Sequence, residues 1–319
     1  MRTRFTIFFS FFLTISFAQQ YRFTPKWEAG HIKSITYTIL EQTYKNKVLT
    51  DDSTYTLHAT LKVVSEDEAF YTIEYTVENP VMKALSELYD KLVEEVPEYK
   101  DQQLICSVSK DSGQVVLLNW KEVRQYNIKS YNRMEKLLAK KAPDRARMAK
   151  EVFMPVKQLY ENENYVKEQV KKGIGFLCVP FERSYTLREK VEEADSAMNP
   201  FNPSVMLETT ETVWLKSYDE KNEEGTFIYS VDMDFSKFVL QMKDVMMRIA
   251  ASMNVEDSVI YRKQREVDQL KMDMTHENMI IYDNKTTWVT KSVNTIEITG
   301  VDPKNGPSRK VYRITAEIE

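Results

Sequence analysis

The stretch HIKSITYTILEQTY, residues 31–44, sets the class of this fold. Ile35, Tyr37 and Ile39 fall on one side of an extended chain, with Ser34, Thr36 and Thr38 on the other. An alternation of period two, built from β-branched and aromatic residues, is a strand and not a helix. Outward from it, STYTLHATLKVV (53–64) and AFYTIEYTVE (69–78) repeat the pattern, and the acidic turn SEDE (65–68) joins them as a hairpin. QLICSVS (103–109) and QVVLLNW (114–120) form another, around the turn residues KDSG (110–113). Between the two hairpins the period changes. Asn79 caps and Pro80 opens a helix that places Val81, Leu85, Leu88, Leu92 and Val96 on one face.

The second half reads as a worn copy of the first. FERSYTLREK (181–190) echoes the opening strand. ETTETVWLKSY (208–218) and GTFIYSVDMDF (225–235) echo the first hairpin, again across an acidic turn, DEKNEE. A helix follows, with Phe235, Phe238, Met242, Val245, Ile249 and Met253 at three- and four-residue steps. Residues 274–298 then give a hairpin around Asp283-Asn284, and RKVYRITAEI (309–318) is a last alternating strand. Between the halves, residues 120–175 read as two or three helices. Pro143 starts the second, Pro155 kinks or interrupts it, and Gly173 ends the last. The expectation is an α+β fold: mostly antiparallel strands in two repeated halves, 19–119 and 176–319, each carrying one helix, with a helical insert at 120–175. Helices against one face of such a sheet enclose either a filled core or a groove.

The first residues, MRTRFTIFFSFFLTISFAQQ, are a separate matter. Arg2 and Arg4 precede an apolar run from Phe5 to Ala18. As a helix this run covers roughly 20 Å, short of a bilayer core of about 30 Å. Ser16 and Ala18 are the small residues a signal peptidase reads, so residues 1–18 are expected to be a secretory signal, cleaved after Ala18. No later stretch is long and apolar enough to span a membrane as a helix. The expectation is an exported protein, periplasmic or secreted. In an oxidising compartment Cys106 and Cys178 permit a disulfide; two buried thiols is the competing reading.

Composition narrows the chemistry. The net charge of −4 argues against a general nucleic-acid binder, which would carry a basic footprint. Seven glycines, with Gly173 and Gly175 the one close pair, cannot build a dinucleotide fingerprint or a phosphate-cradling loop. His31, His58 and His276 are far apart in sequence, and no pair of cysteines sits two residues apart, so no metal or cofactor site is expected. No Gly-x-Ser-x-Gly elbow occurs. Asp232 and Asp234 alternate on one side of their strand, where an exposed polar edge is the plain reading and a cation or catalytic pair the other.

Two features point to binding. The helix after residue 235 is rich in methionine, a flexible side chain suited to varied apolar partners. Phe238, Met242, Met246, Ile249 and Met253 are therefore the candidate contacts for a lipid or other apolar ligand. Residues 121–150 hold ten Lys or Arg against three acids. That local excess suits an acidic envelope partner or anionic headgroups, with Lys136, Lys140, Lys141, Arg145 and Arg147 as candidate contacts. A solvated helix face, with Tyr131, Met134, Leu137 and Leu138 as its buried stripe, is the structural alternative.

The phenylalanine-rich leader, WEAGHIKSITYTILEQ (27–42) and YDNKTTWVTKSVNTIEI (282–298) together resemble uncharacterised exported proteins of Gram-negative envelopes. The resemblance covers a minority of the chain and implies no activity, cofactor or catalytic residue. The architecture is also similar, more distantly, to periplasmic lipoprotein carriers, in which a curved antiparallel sheet wraps helices around an apolar cavity. The functional expectations are a non-enzymatic envelope protein holding an apolar ligand between sheet and helices, an accessory protein docking through the basic insert, or a carboxylate-dependent glycan hydrolase.

Overall fold

The computed structural model describes residues 19–78, 101–141, 143–199, 205–233, 237–240, 243, 247, 271–302 and 306–319. Thirteen strands and three α-helices are described. In chain order the strands are β1 (Gln20–Arg22), β2 (Ile32–Lys45), β3 (Val48–Glu66), β4 (Phe70–Glu78), β5 (Asp101–Ser109) and β6 (Val115–Leu117), then β7 (Ser184–Thr186), β8 (Val191–Met198), β9 (Met206–Asp219), β10 (Glu224–Met233), β11 (Lys271–Asp283), β12 (Trp288–Asp302) and β13 (Gly306–Ile318). Helices α1 (Trp120–Lys141), α2 (Pro143–Tyr160) and α3 (Glu163–Ile174) lie between β6 and β7, followed by two short 3-10 turns, Gly175–Leu177 and Val179–Phe181.

Eleven strands form one antiparallel sheet in the order β6-β5-β4-β3-β2-β13-β12-β11-β10-β9-β8. Each strand pairs with its chain neighbour, and the last strand pairs with the first long one: Ile318 lies opposite Ile35, and Ala316 opposite Tyr37. The two halves are thus parts of one sheet. The short β1–β7 pair stands apart from it. The fold is β-rich, more so than the α+β expectation allowed. The main reason is length: β3 runs from Val48, well before the alternating stretch, because Asn46 and Lys47, both at positive φ, turn β2 directly into it.

One face of the sheet is covered. Along β2 the inward residues are Ile35, Tyr37 and Ile39, as the alternation predicts. Val63, Leu61 and Ala59 of β3, Tyr71, Ile73 and Tyr75 of β4, and Leu104, Cys106 and Val108 of β5 continue that face. From the other half come Leu215, Phe227, Ile280, Tyr282, Trp288 and Ala316. All pack in one core with Val166, Val170 and Ile174 of α3 and with Leu177, Val179 and Phe181 of the 3-10 turns. The sheet therefore curls around this helical segment, which fills its hollow.

Aromatic contacts dominate the centre. Trp27 stacks on Trp288 with centroids 4.4 Å apart and donates its indole N–H to the Thr287 carbonyl at 2.9 Å. Phe181 meets Trp27 and Tyr282 edge to face. Tyr185 closes the plug by donating to the Val179 carbonyl at 2.5 Å.

The insert is built as its sequence implies. Pro143 opens α2, and Asn162 caps α3, its side chain accepting from the amides of Asn164 and Tyr165. Pro155 does not interrupt α2, which continues through it, and α3 runs one residue past Gly173. A satellite cluster of Tyr131, Met134 and Leu137 packs on Phe153, Val156 and Tyr160 between α1 and α2. Arg124 pairs with Glu161, and Lys157 with Glu135 at 2.7 Å.

The two edges of the sheet differ. β6 is three residues long. β8 carries Glu192, Glu193 and Asp195, all exposed, a row of like charges that discourages another chain from pairing there.

Candidate functional site

Filled packing does not extend along the whole hollow. Between the sheet and helices α1 and α3 lies a cavity of about 350 Å³. Its sheet wall is apolar on one side: Tyr37 and Ile39 of β2, Leu57 of β3, Tyr75 of β4, Leu104 of β5 and Ile314 of β13. Its roof is Val123 and Asn127 of α1, Tyr160 at the end of α2, and Val166, Val170 and Ile174 of α3. Gln169, Lys172 and Gly173, all exposed, lie at its margin.

The space has a local cause. Where the row of inward residues reaches Tyr37, its neighbours across β13 and β12 are Ala316 and Ser292, both small and both buried. Small side chains at neighbouring positions of one layer leave space that larger ones would close.

The cavity has two chemically distinct ends. At the apolar end the Tyr37 and Tyr75 hydroxyls are 2.6 Å apart. Burial pushes the Tyr37 phenol up to about 12, partly offset by its hydrogen bond with Tyr75, and burial raises Tyr75 further. Both are neutral hydroxyls at any ordinary pH.

The other end is polar. Asn278 of β11 and Ser292 and Asn294 of β12 line it. Ser292 Oγ donates to Asn278 Oδ1 at 2.8 Å. The Asn294 side chain is hydrogen-bonded to His276, which stands two residues from Asn278 along β11 on the same face, behind the lining. Burial lowers the His276 pKa below its ordinary 6.5, against a smaller opposing effect of its hydrogen bond with the Asn294 side chain. The Tyr229 ring lies edge to face with His276 at 6.1 Å. Tyr229 is raised by burial and by Glu211, to which it is hydrogen-bonded.

Most residues singled out from the sequence lie elsewhere. Met242, Met246, Ile249 and Met253 fall outside the described residues, as does the helix expected at 81–96; Phe238 is half-buried in a helical stretch, residues 237–240. Of the basic candidates, Lys136 and Lys140 are exposed on α1, while Lys141 ends that helix and Arg145 and Arg147 lie in the first turns of α2. Cys106 and Cys178 do not form the disulfide considered above: both are free and buried, and desolvation pushes the Cys106 thiol up to about 12. Asp232 is exposed, and Asp234 falls outside the described residues. His31 accepts the Glu28 amide at 3.2 Å, and His58 is exposed.

Sequence reasoning missed the polar end. Asn278, Ser292 and Asn294 occupy inward positions of strands whose other inward residues are apolar, and a polar residue at an apolar position of the period was the available signal. Among the described residues no group of three or more His, Cys, Asp or Glu is placed to hold a metal ion, and no helix is long and apolar enough to cross a membrane.

No protein family and no curated protein matches this chain. Among solved structures it is similar to lipovitellin, studied for its lipid–protein interactions, with a TM-score of 0.41 and 9% identity over 92% of this chain and 25% of that one. It is also similar to Ail, the attachment invasion locus protein of Yersinia pestis (TM-score 0.15, 4% identity, 92% of this chain and all of that one). An outer membrane channel from Pseudomonas putida F1 gives a TM-score of 0.19 at 6% identity, covering 93% and 98%. The chain spans about a quarter of the lipovitellin chain. Likenesses at these scores carry no argument about fold or function.

Proposed function

We propose that this protein is an exported, non-enzymatic binding protein of the cell envelope that holds an apolar ligand between its sheet and the helices of its insert. The observation that carries the reading is the cavity of about 350 Å³ beside Tyr37, Ile39, Leu57 and Ile314, left open in a hollow otherwise packed with large side chains. The cavity opens to solvent past Gln169 and Lys172, and an apolar ligand entering it would displace water from its apolar wall. The lining adds described contacts to those expected on the methionine-rich helix, most of which fall outside the described residues. Its described polar groups are amides, hydroxyls and one lysine, with no carboxylate, so it offers nothing to the glycan-hydrolase alternative.

Export rests on the leader, with cleavage after Ala18, and intact-mass analysis of secreted material checks it directly. Ligand binding is tested by native mass spectrometry of protein purified from its own host. An apolar molecule released on denaturation is the expected result, lost in Ala316→Phe, which fills the cavity. Wild-type protein that never carries a ligand, and that takes up no apolar probe in competition with Ala316→Phe, overturns the reading.

A further inference from the structure

Helix α1 has one face that the fold uses and one that it leaves bare. Val123, Asn127, Ser130, Met134 and Leu137 follow one another at steps of three and four and are all buried. The opposite stripe, Lys121, Gln125, Lys129, Asn132, Lys136 and Lys140, keeps the same spacing and is exposed throughout. Its lysines therefore stand in a row along the helix, and Lys129 to Lys140 cover roughly 17 Å. Lys136 and Lys140 belong to the basic set read from the sequence; helical register adds Lys129 to them.

Neighbouring acids do not neutralise this row. Glu135 is taken by Lys157, Glu161 by Arg124 and Glu163 by Lys167. Glu122 is exposed in the first turn of α1, beside Lys121 and two turns away from Lys129. Among the described residues no acid pairs with Lys129, Lys136 or Lys140. The acids of the insert thus serve contacts within the helix pack, and the outer row keeps its positive charge in a chain whose net charge is −4.

The make-up of the row selects its partner. Protein interfaces are anchored by aromatic residues and arginine and are poor in lysine. This stripe offers lysine, glutamine and asparagine, with no aromatic or aliphatic anchor among them. Lysines are compact charges on flexible stems, and they suit a diffuse anionic surface on which each adds attraction without a fixed geometry. Independently of the ligand-binding reading above, we propose that α1 lays the mature protein against a bilayer surface carrying anionic headgroups, through Lys129, Lys136 and Lys140.

The test is co-sedimentation of the full-length mature protein with vesicles of phosphatidylcholine, alone or mixed with phosphatidylglycerol, at low and high salt. The wild type should bind the anionic vesicles and not the neutral ones, and high salt should release it. Lys129→Gln, Lys136→Gln and Lys140→Gln together should weaken binding about a hundredfold, at about fivefold per lysine. Glutamine preserves helix α1. A control with the same change of charge on exposed positions of other elements, Lys62→Gln with Lys216→Gln and Lys221→Gln, should bind as the wild type does. Equal losses in the two variants overturn the row as the contact, and equal binding to neutral vesicles or binding that survives high salt overturns the headgroup charge as its partner. Absence of vesicle binding by wild-type protein with native circular dichroism overturns the membrane assignment; retention of that protein on immobilised polyglutamate, lost in the row variant, would then give the row to an acidic protein instead.

Discussion

The hydroxyls of Tyr37 on β2 and Tyr75 on β4 meet at 2.6 Å over the intervening strand β3. Register explains how they reach. Tyr37 lies opposite Leu57 and Tyr75 opposite Leu61, so the two phenols converge over Ala59, the small residue between them. Removing one hydroxyl strands the other beside the cavity. Tyr37→Phe should therefore cost about 1–2 kcal/mol in urea unfolding, and Tyr37→Phe with Tyr75→Phe should cost less than the sum of the two single changes. Additive losses would show that the hydroxyls do not interact.

The same pair sets an alkaline limit. An unfolded tyrosine ionises near 10, whereas Tyr37 holds its proton to about 12. Between those values the unfolded chain loses a proton that the folded protein keeps, so the Tyr37 contribution is full below pH 10 and disappears as pH rises towards 12. Stability measured across that window should fall less steeply in Tyr37→Phe than in the parent protein.

His276 works in the opposite direction of pH. Its folded pKa lies below the ordinary 6.5, chiefly because it is buried, so the unfolded state takes up a proton more readily. Its contribution is present above pH 6.5 and is lost as pH falls through that region. Denaturation midpoints should drop on acidification in the parent and drop less in His276→Gln; parallel curves would exclude this residue as the source.

Two glycines should respond to alanine with opposite signs. Gly113, in the β5–β6 turn, has φ +63°, and a Cβ there would lie 2.8 Å from the Cys178 carbonyl oxygen. Gly113→Ala should destabilise by about 2 kcal/mol or more, since both backbone conformation and packing resist it. Gly173 sits in helix α3 with open space around its missing Cβ. Gly173→Ala should stabilise by about 0.5–1 kcal/mol. Thermal unfolding of both variants reads the contrast.

Cys106 and Cys178 should behave as inert core residues. Both are free and buried, and burial disfavours their thiolates. A thiol reagent should find no reactive sulfur in the native protein and two per chain after denaturation without reductant. One or none after denaturation would indicate a bond or modification involving these sulfurs.

Local chemistry was enough to read much of this architecture. Alternation in residues 31–44, 53–64, 69–78 and 309–318 marks strands because a pleated chain turns successive side chains to opposite faces, wherever its partner lies. Pro143 and the turn KDSG act through their own backbone preferences, so they too are legible without the fold. Strand β8 was not, since its acidic run VEEADSAM has little alternation and is held mainly by pairing with β9.

The cavity belongs to the other category. It depends on Ile35 meeting Ile318, a contact between the first long strand and the last, and no local preference encodes a partner so distant. That pairing brings Ala316 and Ser292 beside Tyr37 and leaves room under α3. It also decides that Asn294 and His276 turn inward against each other, while Asp232 turns out to solvent. Periodicity assigns a residue to a face of its strand; only the packing of distant strands around the helices decides whether that face meets a filled core, water or an open pocket.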